Sequence, residues 1–154
     1  MQVSDPASKD YLYLYFSALI LLASILLFGD VMRAYALIKR GQFEKASKML
    51  SQVIFPSLLI KRNRSYYYMC SGIVQLEEKK FDDARSNLQK SLEIGRLLKR
   101  DQLLARLNLA HAFFAKKNYE ATQKCIEEYE ALSSKDLRIK QGFEELKSAL
   151  SRLS

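Results

Sequence analysis

YLYLYFSALILLASILLF, residues 11–28, is a run of eighteen positions without a charge near the head of a chain of 154 residues. At about 1.5 Å of rise per residue it makes a helix of about 27 Å, close to the roughly 30 Å hydrocarbon core of a bilayer. Apolar residues cover every side of that helix, so no polar face is left for water and either lipid or protein must surround it. Tyr11, Tyr13 and Tyr15 cluster at one end, where rings lie in lipid and hydroxyls reach headgroups. Ser17 and Ser24 are tolerated because a helical hydroxyl bonds back to the preceding turn. The run therefore predicts a transmembrane helix over 11–29 behind a short polar tail, 1–10. Two readings compete with it. One is a cleaved signal peptide, for which Ala34-Tyr35-Ala36 has the small-x-small form while the segment before the run is acidic. The other is a helix buried in a soluble core or among a partner's helices.

Charge is distributed unevenly around this run. The net charge is +8, yet residues 1–29 carry only Asp5, Lys9 and Asp10, which leaves +9 from Asp30 onward. Arg33, Lys39, Arg40, Lys45 and Lys48 follow the run closely, and the positive-inside tendency places the body on the cytoplasmic side. Asn63-Arg64-Ser65 has the form of an N-glycosylation acceptor, and a glycan there would reverse that topology. Hydrophobic residues at 49% against 27% charged argue against disorder, and only five Gly and two Pro favour helices over a β-rich fold. Cys70 and Cys125 fall in helical segments and read as buried thiols, a single possible pair being weak evidence of an oxidising compartment.

Beyond the run, three segments align at a shift of 38 residues: AYALIKRGQFEKASKML from Ala34, GIVQLEEKKFDDARSNL from Gly72 and AHAFFAKKNYEATQKCI from Ala110. Each opens on a small residue, and nine positions later stands Phe43, Phe81 or Tyr119. Three beyond the aromatic comes Ala46, Ala84 or Thr122, and four further Leu50, Leu88 or Ile126; Ile38, Leu76 and Phe114 complete five aligned columns. Spacings of three and four put an apolar stripe on each of two helices with a polar turn between, KRGQ, EEKK or AKKN. Neither helix buries its stripe alone, so the pattern predicts helical hairpins that stack.

The first such pair runs from the apolar run to about Arg40 and then from Phe43 to about Ile54, with Pro56 barring continuation. The second covers about Ser65 to Glu78 and Asp82 to Leu98, the third about Gln102 to Lys116 and Tyr119 to Leu132. Ser133 with Asp136 three residues on resembles a capping box opening a final helix, whose Ile139, Phe143, Leu146, Leu150 and Leu153 form a stripe that covers the last hairpin or makes a dimer seam.

The small and aromatic positions resemble the tetratricopeptide repeat family, over about residues 28–131. The matching residues are Ala34, Gly72 and Ala110 in the first helix of each pair, Phe43, Phe81 and Tyr119 at the start of the second, and Ala46, Ala84 and Thr122 within it, with Gly41 at the first turn. The aromatic usual in the first helix occurs only as Tyr68, and the period exceeds the family's usual 34 by about one helical turn. Together with the transmembrane helix read from the apolar run, the resemblance implies an all-α fold of three hairpins over 30–132 forming an α-solenoid and a capping helix over 133–154. It further implies a partner groove on the inner face of the first helices, lined by Met32, Tyr35, Tyr66, Met69, Ile73, Leu104, Asn108 and His111. Only Asn108 suits a clamp for acidic chaperone tails, so the groove implies an apolar helix or extended segment as partner. The bland reading of the same Met and Tyr residues is packed core. Tyr66-Tyr67-Tyr68 cannot all face one interior, so at least one ring should be exposed or interfacial.

Two basic clusters, Lys61, Arg62 and Arg64, and Arg96, Lys99 and Arg100, lie on connections between hairpins, where they could line one edge and meet phosphates or anionic headgroups. No RNA-binding signature accompanies them. The lone His111, the absence of metal-ligand spacing and of a glycine-rich phosphate loop, and acidic pairs placed as solvated faces give no basis for catalysis. The expectation is a membrane-anchored, non-enzymatic scaffold without cofactor, small-molecule substrate or metal. Its rival is a purely structural subunit whose first helix is buried among partner helices, and a basic nucleic-acid-binding repeat is the remote third.

Overall fold

The computed structural model describes the backbone of residues 7–28, 30–132 and 136–153, and the side chains of 11–22, 30–132 and 136–153. Among these, the regular structure is eight α-helices and one 3-10 turn: α1 (Ala7–Phe28), α2 (Val31–Lys39), α3 (Phe43–Ser51), the turn Pro56–Leu58, α4 (Lys61–Glu77), α5 (Phe81–Ile94), α6 (Lys99–Ala115), α7 (Tyr119–Leu132) and α8 (Leu137–Ser151).

Three times the chain reverses with the same backbone device. The amide of Gly41 donates to Ile38 O and that of Gln42 to Leu37 O; Lys79 and Lys80 repeat the pair onto Leu76 and Gln75, and Lys117 and Asn118 onto Phe114 and Phe113. This crossed pair of bonds closes the helix and needs a left-handed residue just past its end. Gly41 takes that conformation at φ 72°, but Lys79 (φ 60°) and Lys117 (φ 58°) take it with a Cβ in the way. Phe43, Phe81 and Tyr119 then stand first in α3, α5 and α7.

Successive helices pack as neighbours, α2 on α3 and α4, α4 on α5, α5 on α6, α6 on α7, and α8 closes against both α6 and α7. Gly72 shows why a small residue stands in α4: an added Cβ would lie 2.6 Å from Leu88 Cγ and 3.0 Å from the carbonyl oxygen of Ala84. Ser65 and Ser91, both fully buried, exchange bonds across the same pair, each hydroxyl donating to the other's carbonyl at 2.8 and 2.7 Å. At the far end Tyr129 of α7 and Phe143 of α8 stack at 4.0 Å with an 11° interplanar angle. The buried side chains form one core reaching from Val31 to Leu146.

Among the described residues no helix is long and apolar enough to cross a membrane. The transmembrane helix, the lipid bilayer as partner through 11–28, the single-pass membrane localisation and the orientation drawn from it are not upheld. Nor does the first helix of the body continue from the apolar run: α1 stops at Phe28, and Asp30, at φ −87° and ψ 22°, caps a separate α2. The described residues form an all-α bundle of eight helices in place of an anchored α-solenoid. Its first pair is made of nine-residue helices, whereas the next two pairs use 17 and 14, so the units are unequal. Gly95, left-handed at φ 66°, ends α5 four residues before the expected Leu98. Ser133 lies outside the described residues; Asp136 opens α8 by accepting from the amides of Arg138 and Ile139 at 3.1 and 3.4 Å.

The turn geometry makes a prediction. Lys79→Gly and Lys117→Gly should each raise stability by up to about 1 kcal/mol, and Gly41→Ala should lower it by a similar amount. Urea unfolding followed by far-UV circular dichroism measures both signs, and glycine variants that lose stability would contradict the shared turn.

Candidate functional site

Tyr35 of α2, Tyr66 of α4 and Asp101 of α6 meet in the interior. The Tyr35 hydroxyl donates to Asp101 Oδ1 and the Tyr66 hydroxyl to Oδ2, both at 2.5 Å, and the two rings lie 5.4 Å apart at 52°. All three residues are buried. A carboxyl group taken out of water needs donors on both oxygens, and a buried phenol needs an acceptor; here each supplies the other. The arrangement leaves its mark on the phenols. Burial first, then the bond to Asp101, raises the Tyr66 pKa to about 12, with the backbone amide of Leu98 working against them, and the same two causes push Tyr35 up further.

The residues expected to line a groove divide by burial. Tyr35, Tyr66, Met69 and Ile73 are in the core, Met32 is exposed, and Leu104, Asn108 and His111 are half-buried. Asn108 Nδ2 donates to Leu104 O at 2.8 Å on its own helix. Burial lowers the His111 pKa, and the charge of Glu145 partly offsets it. Of the tyrosine run, Tyr66 is buried while Tyr67 and Tyr68 are half-buried and meet edge to face at 5.4 Å. Both cysteines are free and buried; burial pushes the Cys70 thiol up to about 12 and Cys125 to about 11, which keeps them protonated and unreactive at neutral pH.

The basic residues gather where α4 and α6 begin. Lys61 and Arg62 are exposed in the first turn of α4, and Arg64 Nη1 donates to Ser57 O at 3.1 Å, tying the 3-10 turn to that helix. Arg96, Lys99 and Arg100 are exposed at the start of α6, with Arg100 Nε 2.6 Å from Asp136 Oδ2. That bond holds the Asp136 carboxyl below its ordinary range. The Tyr66–Asp101 bond joins the beginnings of α4 and α6, which puts the two clusters at one end of the body. Ile54, Phe55, Leu58 and Leu98 stand exposed on it. Sequence reading found the cations but missed these four, which look like ordinary loop residues until burial is known. It also missed Asp101, whose partners lie 66 and 35 positions away.

No known protein family, curated protein or solved structure matches the chain. The resemblance to the tetratricopeptide repeat family is thus not upheld, and the chain is an all-helical domain outside any matched family. Among the described residues no group of three or more His, Cys, Asp or Glu could hold a metal.

The phenols predict an alkaline response. A folded Tyr66 keeps its proton up to about 12 while an unfolded tyrosine releases it near 10, so the stability it contributes is whole below pH 10 and is lost as pH rises towards 12. Tyr66→Phe should cost about 1.5–3 kcal/mol at pH 7, the worth of a hydrogen bond to a charged group, and should flatten the decline above pH 10. Urea titrations between pH 7 and pH 11 check both; a decline as steep in the variant as in the parent would show that Tyr66 does not carry it.

Proposed function

We propose that the chain is a non-catalytic structural subunit whose helix α1 is buried among the helices of a partner protein. The observation that carries this reading is the exposure of α1. Its large described hydrophobics, from Tyr11 to Leu22, are between 55% and 75% exposed, and none belongs to the core. Complete burial of such a side chain contributes about 1.5–3 kcal/mol, so a helix apolar on every side is strongly driven to find cover. A cluster of partner helices provides cover all round and sets no minimum length, whereas a bilayer demands a span that no described helix provides. The body, with its continuous core, contributes surface of its own.

Photo-crosslinking tests this reading. Leu14, Tyr15 and Phe16 are consecutive and therefore point about 100° apart around the helix. A photoreactive amino acid at each position in the full chain, activated in its native cell, should give protein adducts from all three, with the same partner recurring. Replacing Leu14 and Phe16 by Asp should abolish those adducts at Tyr15 while the circular dichroism of the body stays unchanged. Adducts to lipid alone, or adducts from one face only, would reject burial among partner helices.

A further inference from the structure

Helices α3, α5 and α7 open with acids, Glu44, Asp82 with Asp83, and Glu120, as the positive end of a helix dipole favours. Helix α4 opens with Lys61, Arg62 and Arg64 and has no acid in its first turn. In α6 the first-turn acid, Asp101, is turned inward to the tyrosines, which leaves Lys99 and Arg100 outside. Like charges have thus been gathered at the very edge where the backbone already contributes positive potential. The segments leading into these two helices carry the most exposed hydrophobic side chain of the body, Ile54 at 77%, with Phe55 at 56% and Leu58 at 52% before α4 and Leu98 at 61% before α6. Lys61, Arg62, Arg96 and Lys99 make no ion pair among the described residues. Exposed apolar side chains beside unpaired cations at helix starts cost both solubility and helix electrostatics in the isolated chain, and a partner with the opposite pattern relieves both at once.

We infer that this edge docks an acidic amphipathic helix of a protein, its apolar stripe on Ile54, Phe55, Leu58 and Leu98 and its flanking carboxylates on Lys61, Arg62, Arg96 and Lys99. The assignment to protein rests on the proposed burial of α1 among partner helices. Helix α1 ends at Phe28 and α2 begins at Val31, so the chain can put no more than about 11 Å between them, and a partner enclosing α1 lies close to the body. Helix α2 carries Tyr35 into the Asp101 cluster behind the edge, so the same partner is within reach of it. A duplex nucleic acid would use the cations and leave the four apolar side chains uncovered. Arginine adds geometry to charge, because a guanidinium meets a carboxylate through two parallel bonds.

The chain has no tryptophan, so Phe55→Trp places a single reporter on the edge. The full chain with this substitution would be titrated with a synthetic helix bearing leucine at i, i+3, i+4 and i+7 and glutamate on both flanks. The expected result is a saturable blue shift of the tryptophan emission that weakens with added salt. It should be absent with a lysine-flanked version of the same peptide, and at least about tenfold weaker in affinity when Lys61→Glu and Arg62→Glu are added. Both of those residues are exposed, and unchanged circular dichroism establishes that the added variants fold. A silent tryptophan, equal binding of both peptides, or full affinity in the charge-reversed protein overturns the inference. So does a shift produced by vesicles of phosphatidylcholine and phosphatidylglycerol, or by duplex DNA, when the peptide produces none. The reporter reads only the edge and the crosslinks read only α1, so protein adducts from α1 with a silent tryptophan would reject the docking surface and leave the subunit reading standing.

Discussion

One carboxyl group fixes how three helices sit together. Asp101 accepts from Tyr35 and Tyr66, so α2, α4 and α6 are joined at a single buried point by bonds whose direction allows little sliding or rotation. Apolar packing alone is tolerant of such slips, since one buried methyl group serves nearly as well as another. A buried polar group is not tolerant, because a shift of one residue along a helix would leave an oxygen or a phenol without a partner at a cost of about 1–3 kcal/mol each. The same logic operates between α4 and α5, where Ser65 and Ser91 bond reciprocally. In both places the polar contact says where the helices meet, and the surrounding core supplies most of the driving force.

The interior role of Asp101 shapes the surface behind it. An acid at the start of α6 would ordinarily offset the cations beside it and the helix dipole. With Asp101 committed inward, Lys99 and Arg100 are left to the outside, and only Arg100 finds an acid, Asp136 at the head of α8. The basic edge is in part a consequence of how the core is wired. The exposed hydrophobics are not, since Ile54 and Phe55 sit on a connection whose neighbour Leu59 is buried and would satisfy the packing without them.

The parts of this architecture readable in advance are those set by neighbours three to nine residues apart. The turns after α2, α4 and α6, the aromatic heading each following helix, and the small residue at Gly72 all follow from local spacing, and Leu88 against Gly72 shows the steric reason. What was hidden depends on which side of a helix faces the core. Helices α4 and α6 are packed on several sides, so their apolar residues form no single stripe, and Tyr66, Met69 and Ile73 read equally well as groove or interior. An Asp in a first turn reads as a dipole residue; nothing near it in the chain announces two tyrosine partners. The break between α1 and α2 was missed because Phe28 to Val31 contains no proline; Asp30 opens α2, its carbonyl accepting from the amide of Ala34 at 3.0 Å.

Helix α1 and the basic edge pose one problem at two scales. Within the body many local preferences agree with the packing: acids head α3, α5 and α7, and Ser65, Ser91, Tyr35 and Tyr66 have hydrogen-bond partners in the core. At α1 and at the starts of α4 and α6 that agreement fails, through apolar surface without cover and positive charge without an acid. A chain folded only for its own stability would replace those residues readily, because exposed positions accept polar or acidic substitutes at little cost. The proposed subunit role and the proposed docking edge both rest on these departures at α1 and at the starts of α4 and α6.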